Sequence, residues 1–500
     1  MLSMNKKVVV VGAGIAGLSA GIYAAQSGFD VTILEKHTIP GGVCTSWRRK
    51  GYLFEGAIHW LTGSSPQTAI NKYWRETGAL SDAVPIHCSD PYLYTNYEGT
   101  DLFLYRDIER LREHFLHVSP QDAKAINKLC KDITAYSKVK EPEQDEKGVK
   151  VKYPAPEMSC SSVLKMLPAL FRLGKHLKMP IADYLKMFKH HGIRELIAQS
   201  APPYLPAMPL LFMLAVKAAG DGGYPEGGSL PFTGRMAEKF ASLGGTLRCG
   251  SAAEKVIVEN GAVKGVAAAG LHIDADAVIL TSDTLTAVSR LFDTCPDDAW
   301  INELKTDTEA CNCTFAGIGV KADLSALPHA LVVKLETPLD VGGEKLSGIL
   351  INNYGAYAGY APEGGSALTV ILGFTDTYDF WLRAKNSGTY EDEKNKLISN
   401  LETILGSALP QTKGKIDVID IATPLTYERY TGSYHGSWMG KMVVGSKMKK
   451  YPCTLKNIHN VYLAGFRTDF PGGLPCALTS GRRAAQLLCK DFNAVFQSLV

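Results

Sequence analysis

Seven residues near the start of the chain carry the first chemistry that can be read from it. Gly12-Ala13-Gly14-Ile15-Ala16-Gly17 has the spacing G-x-G-x-x-G, and Glu35 follows eighteen residues after the last glycine. The first glycine permits a tight turn, the second lets backbone approach a pyrophosphate, and the third lets a helix pack closely on a strand. The phosphates would rest on a helix N-terminus, where unpaired N–H groups and the helix dipole favour anions. An acid at the position of Glu35 can accept hydrogen bonds from an adenosine ribose.

The elements that must position these residues lie on both sides of them. Val8, Val9, Val10 and Val11 form an unbroken β-branched run, the pattern of a strand buried on both faces of a parallel sheet. Leu18 to Gln26 reads as a helix rich in small residues and closed by Gly28, and Asp30 to Leu34 as a second strand leading to Glu35. Strand, turn, helix and strand in this order suit a Rossmann-like domain. NAD and FAD are both open at this point.

A second glycine pair comes next. Pro40-Gly41-Gly42-Val43-Cys44-Thr45-Ser46-Trp47 is followed by Gly51-Tyr52-Leu53-Phe54-Glu55-Gly56-Ala57-Ile58-His59-Trp60. Near the other end, Val461-Tyr462-Leu463-Ala464-Gly465 precedes Pro471-Gly472-Gly473-Leu474-Pro475 and a helix over Cys476–Lys490. An NAD site needs no second glycine pair. The combined pattern resembles the FAD-dependent phytoene desaturase, carotenoid isomerase and retinol saturase-like oxidoreductases of the flavin amine oxidase superfamily. Val43 stands where phytoene desaturases and amine oxidases usually carry Arg. Gly-Gly-x-Cys with Gly-x-Ile-His-aromatic is closer to the retinol saturase branch.

The resemblance implies a bound FAD. It would be held by Gly12, Ala13, Gly14, Ile15, Ala16, Gly17, Glu35 and Lys36, by Gly41, Gly42, Val43 and Ser46 of the second turn, and by Ile58 and His59 on the way to the flavin ring. The resemblance also implies contacts from the backbone of Val256 at the adenine and from Thr281 and Ser282 at the exit of a strand over Asp276–Asp283. Gly465, Phe466, Gly473, Leu474 and Pro475 would complete the site where the last helix faces the flavin. Phe466 replaces an Asp that some members carry directly after that glycine.

Five hundred residues exceed one compact core, so two domains or a discontinuous pair are expected. A net charge of +3 gives no general argument for nucleic acid, and none is expected as a partner. The 11 cysteines include no C-x-x-C pair. Cys311 and Cys313 read as buried reduced thiols, so the compartment is expected to be reducing and cytoplasmic, with no metal site. The early apolar run is the first strand rather than a signal peptide. Pro202 to Val216 is too short and too proline-rich to span a bilayer.

Between the two signatures, helices are expected over Gln67–Gly78, Asp107–Val118 and Asp122–Tyr136, a hairpin around Tyr92–Tyr94 and Leu102–Tyr105, and an exposed loop over Lys138–Lys152. From Cys160 to Ala219, Leu164, Leu167, Leu170, Phe171, Leu173 and Leu177 recur at helical spacing with Lys165, Arg172, Lys175 and Lys178 among them. The stretch 164–194 therefore reads as basic amphipathic helices that either touch a membrane surface peripherally or form a lid. Gly222–Gly228 resembles the family's Tyr-Pro-x-Gly-Gly segment and precedes a helix over Leu230–Ser242. Strands follow at Gly244–Arg248, Glu254–Val258 and Val263–Val266. Cys311–Val320, Ala330–Leu335, Gly348–Asn352 and Ala367–Phe374 alternate as a separate antiparallel sheet, and Glu391–Leu405 is a helix. The expected class is α/β. A Rossmann-like FAD-binding domain with a parallel sheet is drawn from 1–110, 220–298 and 455–500. An inserted α+β substrate domain comes from 111–219 and 299–454, with a helical lid at about 160–219.

FAD brings its own hydride chemistry, so the chain need only place an apolar substrate and manage protons. His59, Tyr434 and His435 are the candidate catalytic residues, His59 by titrating near neutrality. Trp60, Tyr427, Tyr430 and Trp438 are the candidate substrate contacts. His329 falls where the desaturases tend to place a histidine, yet reads as structural at a sheet edge. The expected function is an FAD-dependent oxidoreductase acting on carbon–carbon bonds, by desaturation or saturation, of a long apolar polyene-like molecule. A double-bond isomerase and a flavin amine oxidase are alternatives. So is a non-catalytic lipid- or prenyl-binding protein on the same fold, against which the retained glycine signatures argue. The electron partner is left open.

Overall fold

The computed structural model describes residues 6–139, 145–155, 160–202, 204–306, 311–440, 443–445, 449–469 and 472–498. Pro471 of the C-terminal turn, Pro203 and residues 140–144 of the charged loop lie outside them.

The valine run becomes the middle strand, Lys7–Val11, of a five-stranded parallel sheet. Its order is Thr246–Arg248, Asp30–Leu34, Lys7–Val11, Ala277–Leu280, Val461–Leu463. Alternate side chains of a strand face opposite sides, and both sides here are covered. Val8 and Val10 join the core of the helices Ile15–Gln26 and Gly473–Asp491, whereas Val9 and Val11 join a second core with Val256, Leu285 and Leu463. All four are at most 6% exposed, each burial contributing about 1.5–3 kcal/mol. Ala277 and Ile279 divide from Val278 and Leu280 in the same way.

The first helix starts at Ile15, three residues before the expected Leu18, because Gly14 already holds extended backbone and ends the turn inside the motif. Its small residues have a packing reason. A Cβ on Gly481 of the last helix would lie 2.3 Å from the Ala16 carbonyl oxygen, so the two helices cross nearly backbone to backbone. The strand Thr246–Arg248 pairs in this parallel sheet, while Ala253–Glu259, Ala262–Ala268 and Leu271–Asp274 form a three-stranded antiparallel sheet beside it.

A seven-stranded sheet is ordered Ile416–Ala422, Thr314–Val320, Ser366–Leu372, Glu344–Asn353, Ala330–Val341, Leu93–Tyr97, Thr100–Leu104. Its neighbours are antiparallel except Ala330–Val341 with Leu93–Tyr97, which meet in parallel at Leu331 and Tyr94. The strand Ile416–Ala422 and the helix Tyr378–Ser387 were not anticipated. The boundary at residue 110 is corrected, since the hairpin before it extends this sheet rather than the nucleotide fold. Gly317 and Gly319 bring the sheet against the segment Tyr52–Glu55: a Cβ on either would lie within 2.4 Å of the Phe54 or Tyr52 ring.

Helices Ile108–Val118, Ala123–Tyr136, Cys160–Leu177, Ile181–Leu185, His191–Ala198 and Ala207–Ala218 share one core with that hairpin. Asp107 caps the first, accepting from the Arg110 N–H at 2.8 Å. Buried Asp132 ties three of these helices together, accepting from Arg172 Nε at 3.1 Å, Tyr184 at 2.9 Å and Lys128. Lys138–Lys152 is more than a loop. Lys150–Val151 pairs with Val495–Phe496, and Asp145 accepts from Arg482 at 2.8 Å. Pairing partners 345 residues apart leave no local periodicity to read.

Candidate active site

One cavity of about 1590 Å³ is lined by residues of both large sheets and of the helical layer. The glycine-rich turn forms one part of its wall. Gly12 has φ +103°, a conformation that L side chains rarely adopt. The Thr281 hydroxyl donates to the carbonyls of Val11 and Gly12 at 2.9 and 3.0 Å and clamps the turn. A Cβ on Gly17 would lie 1.9 Å from the Gly12 oxygen. Gly14 differs, because the nearest atom to a Cβ there is the Gly41 oxygen at 3.9 Å, and any side chain would grow into the cavity.

Two helices present their N-termini here, Ile15–Gln26 after Gly14 and Gly473–Asp491 after Gly472, both without a side-chain cap. Their first N–H groups are thus offered to whatever acceptor enters. Glu35 is 6% exposed. Its Oε2 accepts from the Ala13 N–H at 2.7 Å and its Oε1 from the His37 N–H at 2.8 Å. Each oxygen keeps a further lone pair for a ribose hydroxyl. An open cradle at Gly14, two uncapped helices and a fixed acid fit the long dinucleotide that the motifs imply.

Of the expected cofactor contacts, Gly12, Gly14, Ile15, Ala16, Glu35, Lys36, Gly41, Gly42, Val43, His59, Thr281, Ser282, Gly465, Phe466, Gly473, Leu474 and Pro475 line the cavity. Ala13, Gly17, Ser46, Ile58 and Val256 do not. The Val256 N–H is spent on the Leu291 carbonyl at 2.7 Å, and Ala252, Ala253 and Glu254 form the wall there instead. Trp60, Tyr427 and Trp438 reach the cavity. Tyr430 does not: it is 43% exposed and packs on His37 and Arg429.

The expected catalytic trio is not brought together. His59 lines the cavity, whereas Tyr434 and His435 lie outside it. His435 is stacked between Tyr378 and Tyr434, at 4.2 and 4.1 Å between ring centroids, and meets Asp376 at 3.2 Å. Its backbone is left-handed, at φ +50°.

His59 Nδ1 lies 2.8 Å from the Tyr354 hydroxyl, and its Nε2 is buried with no hydrogen bond among the described residues. Burial, helped by the charge of His329, drives its pKa down to about 3. The expectation that it titrates near neutrality is therefore corrected: His59 is a neutral imidazole. His329 also lines the cavity, rather than serving only a sheet edge. Its Nδ1 is 3.0 Å from the Asn353 carbonyl oxygen, so Nδ1 carries the proton, and burial lowers its pKa too.

Sequence reasoning missed the groups that hold His59. Glu55 is fully buried and accepts from the N–H groups of Ala57, Ile58 and Ser229 at 3.0, 3.1 and 2.8 Å and from the Ser229 hydroxyl. It thereby joins the approach to His59 to the start of the helix Ser229–Ser242. Its place in the motif was visible, but its partner Ser229 lies 174 residues away. Tyr354, Lys217 and Arg106 carried no signal at all, standing outside every motif.

Three comparisons bear on this geometry. The family described as flavin-containing amine oxidoreductase matches residues 15–489. A 4,4'-diapophytoene desaturase (4,4'-diapolycopene-forming) of Methylomonas is 24% identical over 100% of this chain and 98% of its own length. A 4,4'-diaponeurosporene oxygenase of Staphylococcus aureus is 22% identical over 96% and 98%. The solved structure of an oxidoreductase from Methanosarcina mazei superposes with a TM-score of 0.59 at 16% identity, covering 97% of this chain and 100% of that one, and shows the same fold.

Proposed function

The chain belongs to the family of flavin-containing amine oxidoreductases and is an FAD-dependent enzyme, and from that premise we propose that it oxidises or reduces carbon–carbon bonds of a long apolar, polyene-like molecule. One observation carries this reading. Beyond His59 and Trp60 the cavity is walled by Leu170, Leu173, Leu205, Met208, Phe212 and Met213, and the helical part of the wall, 136–217, contributes no carboxylate among the described residues. A protonated amine would find no counter-charge along it, whereas an extended hydrocarbon would lose water along its whole length. The names of the desaturase and oxygenase relatives, which match nearly the full chain, support the same substrate class.

Bound FAD supplies the ring that takes or gives a hydride. The chain's own residues hold and shield it. Glu35 and the N-terminus of the helix Ile15–Gln26 would hold the nucleotide end, the N-terminus of Gly473–Asp491 would face the flavin end, and the apolar helical wall would keep water from the reacting bond. Tyr354 orients a neutral His59, whose Nε2 is left for a hydrogen bond at the substrate end. Desaturation takes a proton as well as a hydride from two adjacent carbons, and a neutral imidazole keeps a ring-nitrogen lone pair that can accept that proton.

The reading extends to a peripheral membrane contact. Leu164, Leu167 and Phe171 are 64, 38 and 82% exposed on the same helix that gives Leu170 and Leu173 to the cavity. Lys175, Lys178, Lys186 and Lys189 are exposed nearby. An apolar ridge flanked by cations suits uptake of a lipid-borne molecule. No helix among the described residues is long and apolar enough to cross a membrane.

The test is an anaerobic visible spectrum of the purified protein during additions of polyenes and then amines. Bleaching of the flavin band by a polyene, or reoxidation of the chemically reduced protein by one, is expected. Bleaching by amines alone, or no flavin band after reconstitution with FAD, would overturn the reading.

A further inference from the structure

Lys217 is an unusual occupant of an apolar wall. It ends the buried helix Ala207–Ala218, lines the cavity and is 7% exposed. Its Nζ sits over the rings of Trp60 and Tyr92, 5.0 Å from each centroid. Its one hydrogen bond among the described residues is long, 3.4 Å to the Gly222 carbonyl oxygen, so two of its three donors are free there. Among the described residues no carboxylate forms an ion pair with it. Asp221, four residues on, is spent on the N–H groups of Gly63 and Ser65 at 2.8 Å each and on the Ser64 hydroxyl at 2.7 Å.

The place is built rather than accidental. The Arg106 guanidinium donates to the carbonyls of Ser89, Lys217, Asp221 and Gly222 at 2.9, 3.3, 2.7 and 3.1 Å. It thereby bolts the end of the helix to the segment before the Leu93–Leu104 hairpin and adds a second cation beside the first. An ammonium held between two aromatic faces keeps part of its solvation through the ring quadrupoles. Among the described residues it still lacks the paired anion of an ordinary buried cation, and burial with the neighbouring Arg106 guanidinium lowers its pKa to about 7.

We infer that Lys217 receives an anionic end group of the substrate, and that the molecule turned over is a long polyene carboxylate rather than an unsubstituted hydrocarbon. The inference rests on the polyene reading above and narrows it. Trp60 couples the two halves of the site: it follows His59 in the chain and stacks under the Lys217 ammonium. A carboxylate on Lys217 would therefore set which carbon–carbon bond of the chain comes to the reacting position, so that the lysine acts as a register stop.

The experiment uses the FAD-loaded protein with cis-parinaric acid, a fluorescent tetraene carboxylate, and with its methyl ester. The wild-type protein should bind the acid at least tenfold more tightly than the ester. Lys217→Gln should lose that preference through a tenfold weaker grip on the acid alone, and Lys217→Arg should restore much of it, with flavin content and spectrum unchanged in both. Equal binding of acid and ester by the wild type would overturn the inference while leaving the polyene reading standing. So would a Lys217→Gln variant weakened equally towards both, or one whose flavin spectrum shifts instead, which would assign the lysine to the cofactor. Failure of both probes to bind would overturn both readings, and binding of the ester but not the acid would overturn this one alone. If Lys217→Gln does not fold, the acid-to-ester ratio of the wild type alone decides.

Discussion

The Nδ1 atom of His59 lies 2.8 Å from the hydroxyl of Tyr354, and this bond ties the segment after the second glycine pair to the end of the strand Glu344–Asn353. Tyr354 is fully buried and stacks on Tyr360, 5.0 Å away and nearly parallel. The histidine beside the cavity is thus held by the sheet that forms the opposite wall. Tyr354→Phe should leave a buried imidazole nitrogen without its partner and cost about 1–3 kcal/mol. Urea denaturation of the two proteins at neutral pH measures this directly.

Burial sets how the protein responds to acid. His59 has a folded pKa of about 3 against an ordinary 6.5, and burial pushes His176 and His329 in the same direction. Between these values the unfolded chain binds more protons than the folded one, so stability is complete above pH 6.5 and falls as pH drops towards 3. The slope from each such histidine is about 1.4 kcal/mol per pH unit. His59→Asn should flatten the fall in melting temperature across this window. The rate profile of the enzyme should also show no limb from His59 between about pH 5 and 9.

Two glycines of one motif should respond oppositely. Gly14→Val adds bulk only towards the cavity, since its nearest neighbour is the Gly41 oxygen at 3.9 Å. It should keep the fold and lose the flavin. Gly17→Ala would set a methyl 1.9 Å from the Gly12 oxygen and should lower the melting temperature even in the absence of FAD. Flavin absorbance and circular dichroism on the same preparations separate the two effects.

Glu35→Ala removes the acceptor of the Ala13 and His37 N–H groups and any bond to a ribose. FAD affinity should weaken by about 1–3 kcal/mol, roughly five- to 150-fold. Quenching of FAD fluorescence on titration with apoprotein measures it, and unchanged affinity would remove Glu35 from the site.

Arg467 and Asp283 form an ion pair at 2.8 Å with side chains 5 and 0% exposed. Asp283 also caps the helix Thr284–Arg290 and accepts from the Tyr434 N–H at 3.2 Å, while Arg467 donates to Ser437 at 2.7 Å. The pair joins the segment after Gly465 to the exit of the central sheet. Arg467→Ala strands a buried carboxylate and should cost about 3–5 kcal/mol. A stability within 1 kcal/mol or so of wild type would show that water reaches Asp283.

Much of the nucleotide half was legible because its signals are local. A β-branched run with no polar alternation requires cover on both faces, and Val8–Val11 received it. The glycine turns, Glu35 and the C-terminal signature lie where motif spacing set them. Legibility ended where partners are distant. Tyr434 and His435 carry the right chemistry in a motif-rich block, yet neither lines the cavity, and His435 is stacked between Tyr378 and Tyr434. Val256 matched a family position, but its N–H was already taken by Leu291.

The sequence by itself determined the class of fold, the flavin and the apolar character of the helical layer, because hydrophobic period and glycine spacing act over a few residues. The tertiary structure alone decided which histidines face the cavity, that burial keeps them neutral, and that Lys217 stands between Trp60 and Tyr92 with no ion-pair partner among the described residues. Those properties depend on desolvation and on neighbours brought from the far ends of the chain, and no local pattern encodes either.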